Sequence, residues 1–179
     1  MKNILREILS TSIYILCVLI ATYLIIHFVG QRTEVIGSSM VPTLQNKDNL
    51  IVEKISYRFQ DPKRFDIIVF PYKYAKRTYY IKRIIGLPGE KVYIDEEGNI
   101  YINDVILEEH YGKETIQNAG LAATAITLED DEYFVMGDNR NDSSDSRDPS
   151  VGNIRRGDII GRAWVRIWPF DKFGKIPHQ

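Results

Sequence analysis

The sequence contains little cysteine or histidine, and it has no long block of charge of one sign. Its single cysteine, Cys17, excludes an intrachain disulfide, so the fold must depend on its hydrophobic core. The three histidines are scattered, which with only one cysteine argues against a zinc site. The 23 basic and 24 acidic residues give a net charge of -1. Because nucleic-acid binding needs a concentrated positive face, we expect no nucleic-acid partner. We also expect no metal or cofactor.

A nearly uncharged segment occupies residues 8–29. As a helix of roughly 22 residues it would be about 33 Å long, enough to cross the hydrocarbon core of a bilayer. A cleavable signal peptide would have a shorter apolar core and a small-x-small cleavage site, which residues 28–32 do not provide. A helix buried in the protein core is the other alternative, but this segment is apolar all round. We therefore expect an uncleaved, single-pass membrane anchor.

The charges that flank this segment predict its orientation. Lys2, Arg6 and the α-amino group precede it, whereas Arg32 follows it close to Glu34. An excess of positive charge before a span favours a cytoplasmic N-terminus. We therefore expect residues 1–7 in the cytoplasm and residues 30–179 on the other side of the cell membrane.

The rest of the chain is predicted to be mostly β-structure, with no helical pattern of any length. Apolar and β-branched runs, separated by turn residues, predict the strands. These runs are residues 50–52, 66–70, 91–94, 100–102, 105–107, 133–136 and 159–167. Residues of about 96–130 are expected to form a small insertion, in which 119–125 is a run of mostly small residues.

Three polar clusters are candidates for chemistry, and the first is at residues 37–44. It holds two adjacent serines, Ser38 and Ser39, between Gly37 and Pro42. Such a constrained loop can expose a hydroxyl group and bring backbone N–H groups close to it. The alternative is a plain turn that happens to contain serines.

The second cluster is a strand-like run around Lys82 and Arg83. Alternation along a strand places Lys82 on the same face as Ile84 and places Arg83 on the other face. A lysine held against apolar groups is desolvated, which lowers its pKa and lets the neutral amine accept a proton from a serine. The guanidinium of Arg83 cannot serve as such a base. The alternative is a lysine whose amine reaches solvent.

The third cluster, residues 136–147, is dense in hydrogen-bonding side chains and lies between apolar strands. It is either a network that orients catalytic groups or a solvated loop of Asx turns. Its acidic residues could bind a cation, but Arg140 and Arg147 favour internal ion pairs instead.

Four segments in the same order resemble the conserved boxes of the type I signal peptidases, also called leader peptidases. They are residues 39–44, 46–54, 82–90 and 137–147. Asn46, Lys47 and Asp48 replace a more usual Gly-Asp pair, and Glu90 replaces a more usual aspartate. Lysine rather than histidine at position 82 resembles the bacterial branch, and the single short anchor resembles its Gram-positive form.

The resemblance implies the fold and the activity. The expected fold is an antiparallel, distorted barrel-like catalytic domain with a small β insertion. The expected activity is removal of signal peptides from exported preproteins that carry small residues at the first and third positions before the cut. The partners are then those signal peptides and the lipid bilayer.

The resemblance also implies roles for individual residues. Ser39 would be the nucleophile and Lys82 its general base. Ser143 would hydrogen-bond the Lys82 amine, and the supporting residues would be Asp145 paired with Arg147, together with Asp138 and Arg140. Met40, Leu44 and Ile81 would line apolar substrate pockets. Gly37 stands where some members carry a serine, so a second donor to the oxyanion stays open beside the Ser39 N–H.

Two other classes of protein remain as alternatives. A self-cleaving Ser–Lys repressor would carry a DNA-binding segment and no anchor. An anchored β-domain that binds peptides or cell-wall material without turnover would not need both Ser39 and Lys82. Replacement of Lys82 separates the classes, because only an enzyme would lose turnover while retaining binding.

Overall fold

The computed structural model describes residues 2–24 and 30–178, and it begins with one long helix. Helix α1 spans Lys2–Leu24, and its segment Arg6–Leu24 is long and apolar enough to cross a membrane. None of that segment is buried against the rest of the protein. The predicted anchor is therefore helical as far as Leu24, while its last part, residues 25–29, lies outside the described residues.

Twelve strands follow the helix, and every predicted run overlaps one of them. They are β1 (Gly30–Glu34), β2 (Asn49–Glu53), β3 (Ile67–Pro71), β4 (Tyr79–Gly86), β5 (Lys91–Ile94), β6 (Ile100–Ile102), β7 (Val105–Ile106), β8 (Ile126–Thr127), β9 (Glu132–Met136), β10 (Ile154–Arg155), β11 (Gly161–Trp168) and β12 (Gly174–Lys175). Short 3₁₀ helices occur at Ser56–Arg58, Gly120–Ala123, Arg156–Asp158 and Phe170–Lys172. The prediction of a mostly β fold after one N-terminal helix is confirmed.

The strands form two antiparallel sheets. The main sheet has the order β1-β2-β11-β3-β4-β9-β10, with β12 paired to β11. The second sheet has the order β7-β6-β5-β8 and is inserted between β4 and β9. It begins at Lys91, a few residues before the predicted start of the insertion.

A hydrophobic core joins the two sheets. Ile85, Phe134 and Met136 of the main sheet pack in one cluster with side chains of β5 and β6. Residues 108–130 contribute Ile116, Ala122 and Leu128 to the same cluster. The segment that sequence patterns left unassigned is therefore packed on the core.

Two open strand edges shape the region that carries the polar clusters. β1 is an end strand of the main sheet, paired only with β2 among the described strands. β9 pairs with β4 only from Arg83 onward, so residues 79–82 have no strand on that side in the described part of the chain. Backbone donors and acceptors on both edges are thus free to pair with another strand.

Candidate active site

The two residues predicted to form a dyad lie side by side. Lys82 Nζ donates a hydrogen bond of 2.7 Å to Ser39 Oγ and one of 3.1 Å to the carbonyl oxygen of Ile81. Ser39 lies in the loop after β1, and Lys82 lies in β4, 43 residues away in sequence. The fold therefore brings together the two groups that the sequence clusters predict.

Burial sets the protonation of the lysine. Lys82 is only 4% exposed. Burial lowers its pKa to about 8, although the negative charges of Asp145 and Asp138 act in the opposite direction. A substantial fraction of this amine is therefore neutral under mildly alkaline conditions, as a general base must be.

The loop that carries Ser39 is a series of tight turns. Gly37 has a φ of +101°, which favours glycine, and Val41 N–H donates to the carbonyl oxygen of Ser38. This path leaves Ser39 half-buried at the surface but turns Met40 inward.

The structure corrects two of the predicted pocket residues. Met40 and Leu44 are almost completely buried in a core cluster with Val35 and Leu50, and neither lines the cleft beside Ser39. Ile81 does line that cleft, and its contact with substrate stays a prediction. Motif position could not separate a buried side chain that supports the loop from one that faces substrate.

The loop after β9 holds the Ser39 loop in place. Asn139 donates from its backbone N–H to the Ser39 carbonyl oxygen at 3.0 Å, and from Nδ2 to the Ser38 carbonyl oxygen at 3.2 Å. Ser38 Oγ donates to Asp142 Oδ2 at 2.5 Å. A Cβ atom at Gly137 would clash with the Ser39 carbonyl oxygen and the Ser143 side chain, so only glycine fits there. Sequence analysis missed Asn139, whose only indication was the polar density of its cluster.

Asp145 is the centre of the buried polar network. Its carboxylate accepts two hydrogen bonds of 2.9 Å from the Arg147 guanidinium, one of 2.7 Å from Ser143 Oγ and one of 3.0 Å from the Gly137 N–H. The predicted Asp145–Arg147 pair is therefore present. The predicted Ser143–Lys82 hydrogen bond is not formed in this structure, where Ser143 Oγ donates to Asp145 and Lys82 Nζ donates to Ser39 Oγ and the Ile81 carbonyl oxygen.

Asp138 and Arg140 brace the same loop through partners that sequence analysis missed. Asp138 accepts bonds of 2.8 Å from both Nε and Nη2 of Arg83, and both side chains are 0% exposed. Arg140 Nη1 lies 2.6 Å from Glu109, and Arg140 Nε donates to the Gly137 carbonyl oxygen. A buried cation next to Lys82 had to have a buried anion as its partner, but the pattern did not identify which one.

A cleft of about 530 Å³ opens beside the Ser39–Lys82 pair. Its walls are residues 33–39, which run on from β1, and residues 77–82, which lead into β4, with Asp142 and Ser144 at the side. In the described part of the chain the Ser39 N–H has no hydrogen-bond partner. No group of three or more residues able to hold a metal occurs within residues 2–24 and 30–178.

Comparison with known proteins gives consistent matches. The model of the family described as signal peptidase, peptidase S26, matches residues 5–168. A probable signal peptidase I-2 of Synechocystis sp. is 42% identical over 154 residues, which cover 83% of this chain and 68% of that protein. Signal peptidase I U of Bacillus subtilis is 35% identical over 175 residues, 94% of this chain and 91% of that one. A crystal structure of a signal peptidase I from Enterococcus faecalis is 34% identical, covers 57% of this chain and 97% of that chain, and has a TM-score of 0.48.

Proposed function

The chain belongs to the signal peptidase family, peptidase S26, serine endopeptidases that remove signal peptides, and we propose that it does so through a Ser39–Lys82 dyad held at a membrane surface. The observation that supports the dyad best is the 2.7 Å contact between Lys82 Nζ and Ser39 Oγ. A hydroxyl group within hydrogen-bond reach of a desolvated amine is the arrangement that activates a serine nucleophile.

In the acylation step, neutral Lys82 accepts the Ser39 hydroxyl proton as Ser39 Oγ bonds to the scissile carbonyl carbon. The carbonyl oxygen becomes an oxyanion, for which the unpartnered Ser39 N–H is a donor. The ammonium of Lys82 then gives its proton to the leaving amine, and the carbon–nitrogen bond breaks. The N-terminal fragment, which is the signal peptide, stays on Ser39 as an ester.

In the deacylation step, the same lysine removes a proton from a water molecule that attacks the ester carbonyl. The ester bond breaks, the proton returns through Lys82 to Ser39 Oγ, and the signal peptide leaves with a free carboxylate. No metal or cofactor is needed for either step. Ser143, Asp145 and Arg147 keep the loop after β9 in position without taking a proton.

We propose that the substrate binds as an extended strand between the two open edges. Residues 33–39 and 79–82 form opposite walls of the cleft, and each presents unpaired backbone groups. Ile81 occupies one wall, so side chains that point toward it must be compatible with an apolar surface. Preference for small residues at the first and third positions before the cut follows the family resemblance.

The position of the proposed anchor supports catalysis at a membrane surface. β1 begins at Gly30, and from there to Ser39 the extended chain spans about 30 Å at most. The cleft would thus lie close to the bilayer surface, where the cleavage site of an exported preprotein emerges. The charges before the span favour a cytoplasmic N-terminus and a catalytic domain on the outer side.

Mass spectrometry of a purified preprotein with an Ala-x-Ala site tests the proposal. The wild-type chain should release one product cut after the second alanine, and Ser39→Ala should release none. Ser38→Ala is the matched control, because that neighbouring hydroxyl is bound to Asp142 and should retain measurable turnover. If wild type and both variants bind the preprotein but none of them cleaves it, the result would instead support an anchored peptide-binding domain.

A further inference from the structure

The loop between β3 and β4, residues 72–78, carries basic and aromatic side chains at the surface. Lys73, Lys76 and Arg77 are all exposed. The sequence contains no acidic residue between Asp66 and Glu90. The loop is therefore a local positive patch on a chain whose net charge is -1.

The three cations are not neutralised within the protein. Among the described residues, none of them forms an ion pair with a carboxylate, and Lys73 lies instead over the ring of Tyr74 at 5.1 Å. Arg155, also exposed, is by contrast paired with Glu129. The patch thus keeps its full charge for an external partner.

Tyrosines give the same loop a firm aromatic surface. Tyr72 stacks on Tyr80 with ring centroids 4.7 Å apart, and Tyr74 packs edge-on against Tyr72 at 5.7 Å. Tyr74 and Tyr79 are nevertheless 69% and 53% exposed. Tyrosine is enriched where a protein meets the headgroup layer of a bilayer, because its ring is apolar and its hydroxyl is polar.

Strand register places this loop at the end of the sheet where the chain leaves the anchor. Gly30 pairs with Glu53, Glu53 with Arg162, and Arg162 with Ile68. β3 is antiparallel to β11, so from Ile68 it runs on to Pro71 beyond the level of Gly30. The loop that follows therefore projects from the end of the sheet that the proposed membrane span adjoins.

We propose that the loop of residues 72–78 binds the anionic headgroups of the bilayer that holds the anchor. The inference rests on the proposed anchor. A juxtamembrane cluster of lysine and arginine is attracted to an anionic surface, and exposed tyrosines strengthen the contact. Because Arg77 and Tyr79 also line the cleft, the contact would hold the cleft mouth against the bilayer.

The test uses the full chain in lipid nanodiscs with an environment-sensitive fluorophore on the loop. Ala75→Cys in a Cys17→Ser background provides the labelling site, and Glu97→Cys in the β5–β6 turn of the second sheet is the control site. Nanodiscs contain phosphatidylcholine alone or phosphatidylcholine mixed with phosphatidylglycerol. The label at position 75 should shift to the blue in the anionic nanodiscs only, and high salt should reverse the shift. The control label should not respond.

Lys73→Gln combined with Lys76→Gln supplies the matched variant. Each lysine removed should weaken docking about five-fold, so the docked-to-undocked ratio should fall roughly 30-fold. The same emission at position 75 in both lipids would overturn the proposal. A shift that needs added preprotein rather than anionic lipid would assign the loop to substrate and would also overturn it. Cleavage of a soluble peptide by the wild-type chain in detergent tests the proposed function separately, because no bilayer is present.

Discussion

The backbone N–H of Asn139 donates a 3.0 Å hydrogen bond to the carbonyl oxygen of Ser39. This bond joins the loop after β9 to the loop that carries the proposed nucleophile. Gly137 lies in the same contact, where its missing side chain lets the two backbones approach. The position of Ser39 therefore depends on a second loop nearly a hundred residues further along the chain.

Gly137→Ala should reduce kcat/KM by on the order of a hundredfold. The added Cβ would push the Ser39 loop away from Lys82, and a misplacement of about 1 Å at a catalytic group lowers the rate by about that factor. Gly157→Ala is the control, since nothing lies within 4 Å of a Cβ there. Peptide cleavage assays on both variants make the comparison. Equal activity of the two would show that the contact at Gly137 does not position the nucleophile.

The rate should depend on pH through the neutral fraction of Lys82. Burial lowers the pKa of this amine to about 8, and only the unprotonated form can accept the Ser39 proton. kcat/KM should therefore rise about tenfold per pH unit below the pKa and level off above it. A pH–rate profile that is flat around pH 8, or one that rises only near the ordinary pKa of lysine, would be inconsistent with a desolvated base.

The same burial predicts that Lys82 costs stability. At neutral pH the amine is protonated in both states, but the folded protein must keep that charge out of water. Lys82→Met should then increase the free energy of unfolding, by on the order of 3 kcal/mol. Denaturant unfolding of both proteins at pH 7 measures this difference. A large loss of stability in Lys82→Met would contradict it.

The pH dependence of that difference has a defined sign. Between pH 8 and 10.5 the unfolded chain still holds the lysine proton that the folded chain has released. The unfolded state thus binds more protons, so wild-type stability rises with pH relative to Lys82→Met. The difference in free energy of unfolding between Lys82→Met and wild type should therefore become smaller from pH 8 to pH 10.5.

Asp138→Asn should destabilise the fold by about 3 kcal/mol or more, because it leaves the fully buried Arg83 without a charged partner. Asp104→Asn is the matched control, since Asp104 pairs with Lys91 at the surface and such pairs contribute about 1 kcal/mol or less. Thermal or denaturant unfolding compares the two variants. A similar loss of stability in both variants would mean that Arg83 finds another partner when Asp138 is replaced by asparagine.

Much of the fold could be predicted because its strands follow alternating apolar patterns. The runs around Ile51, Ile68 and Val135 each became strands of the main sheet. The pairing order could not be predicted, because β11 lies between β2 and β3 although it comes late in the sequence. Such long-range pairing depends on which faces pack together, and a local pattern does not contain that information.

In the candidate site, too, residue type and motif could be predicted from the sequence, whereas contacts that depend on packing could not. Ser39 and Lys82 were identified from residue type and motif, and the structure brings them into contact. The partners of Asp138 and Ser143 were not identified, because they depend on which side chains the packed core excludes from water. Met40 was expected to face substrate, yet the turn after Gly37 directs it into the core.

The cleavage rate of a fluorogenic signal-peptide substrate with an Ala-x-Ala site, in detergent, tests the central claim most directly. Wild type and Lys82→Ala would be compared at equal concentration of folded protein. We expect wild type to turn over and the variant to lose nearly all activity, on the order of a thousandfold or more, since the general base is gone. Activity that survives in Lys82→Ala would show that another group activates Ser39, and the proposed dyad would be wrong.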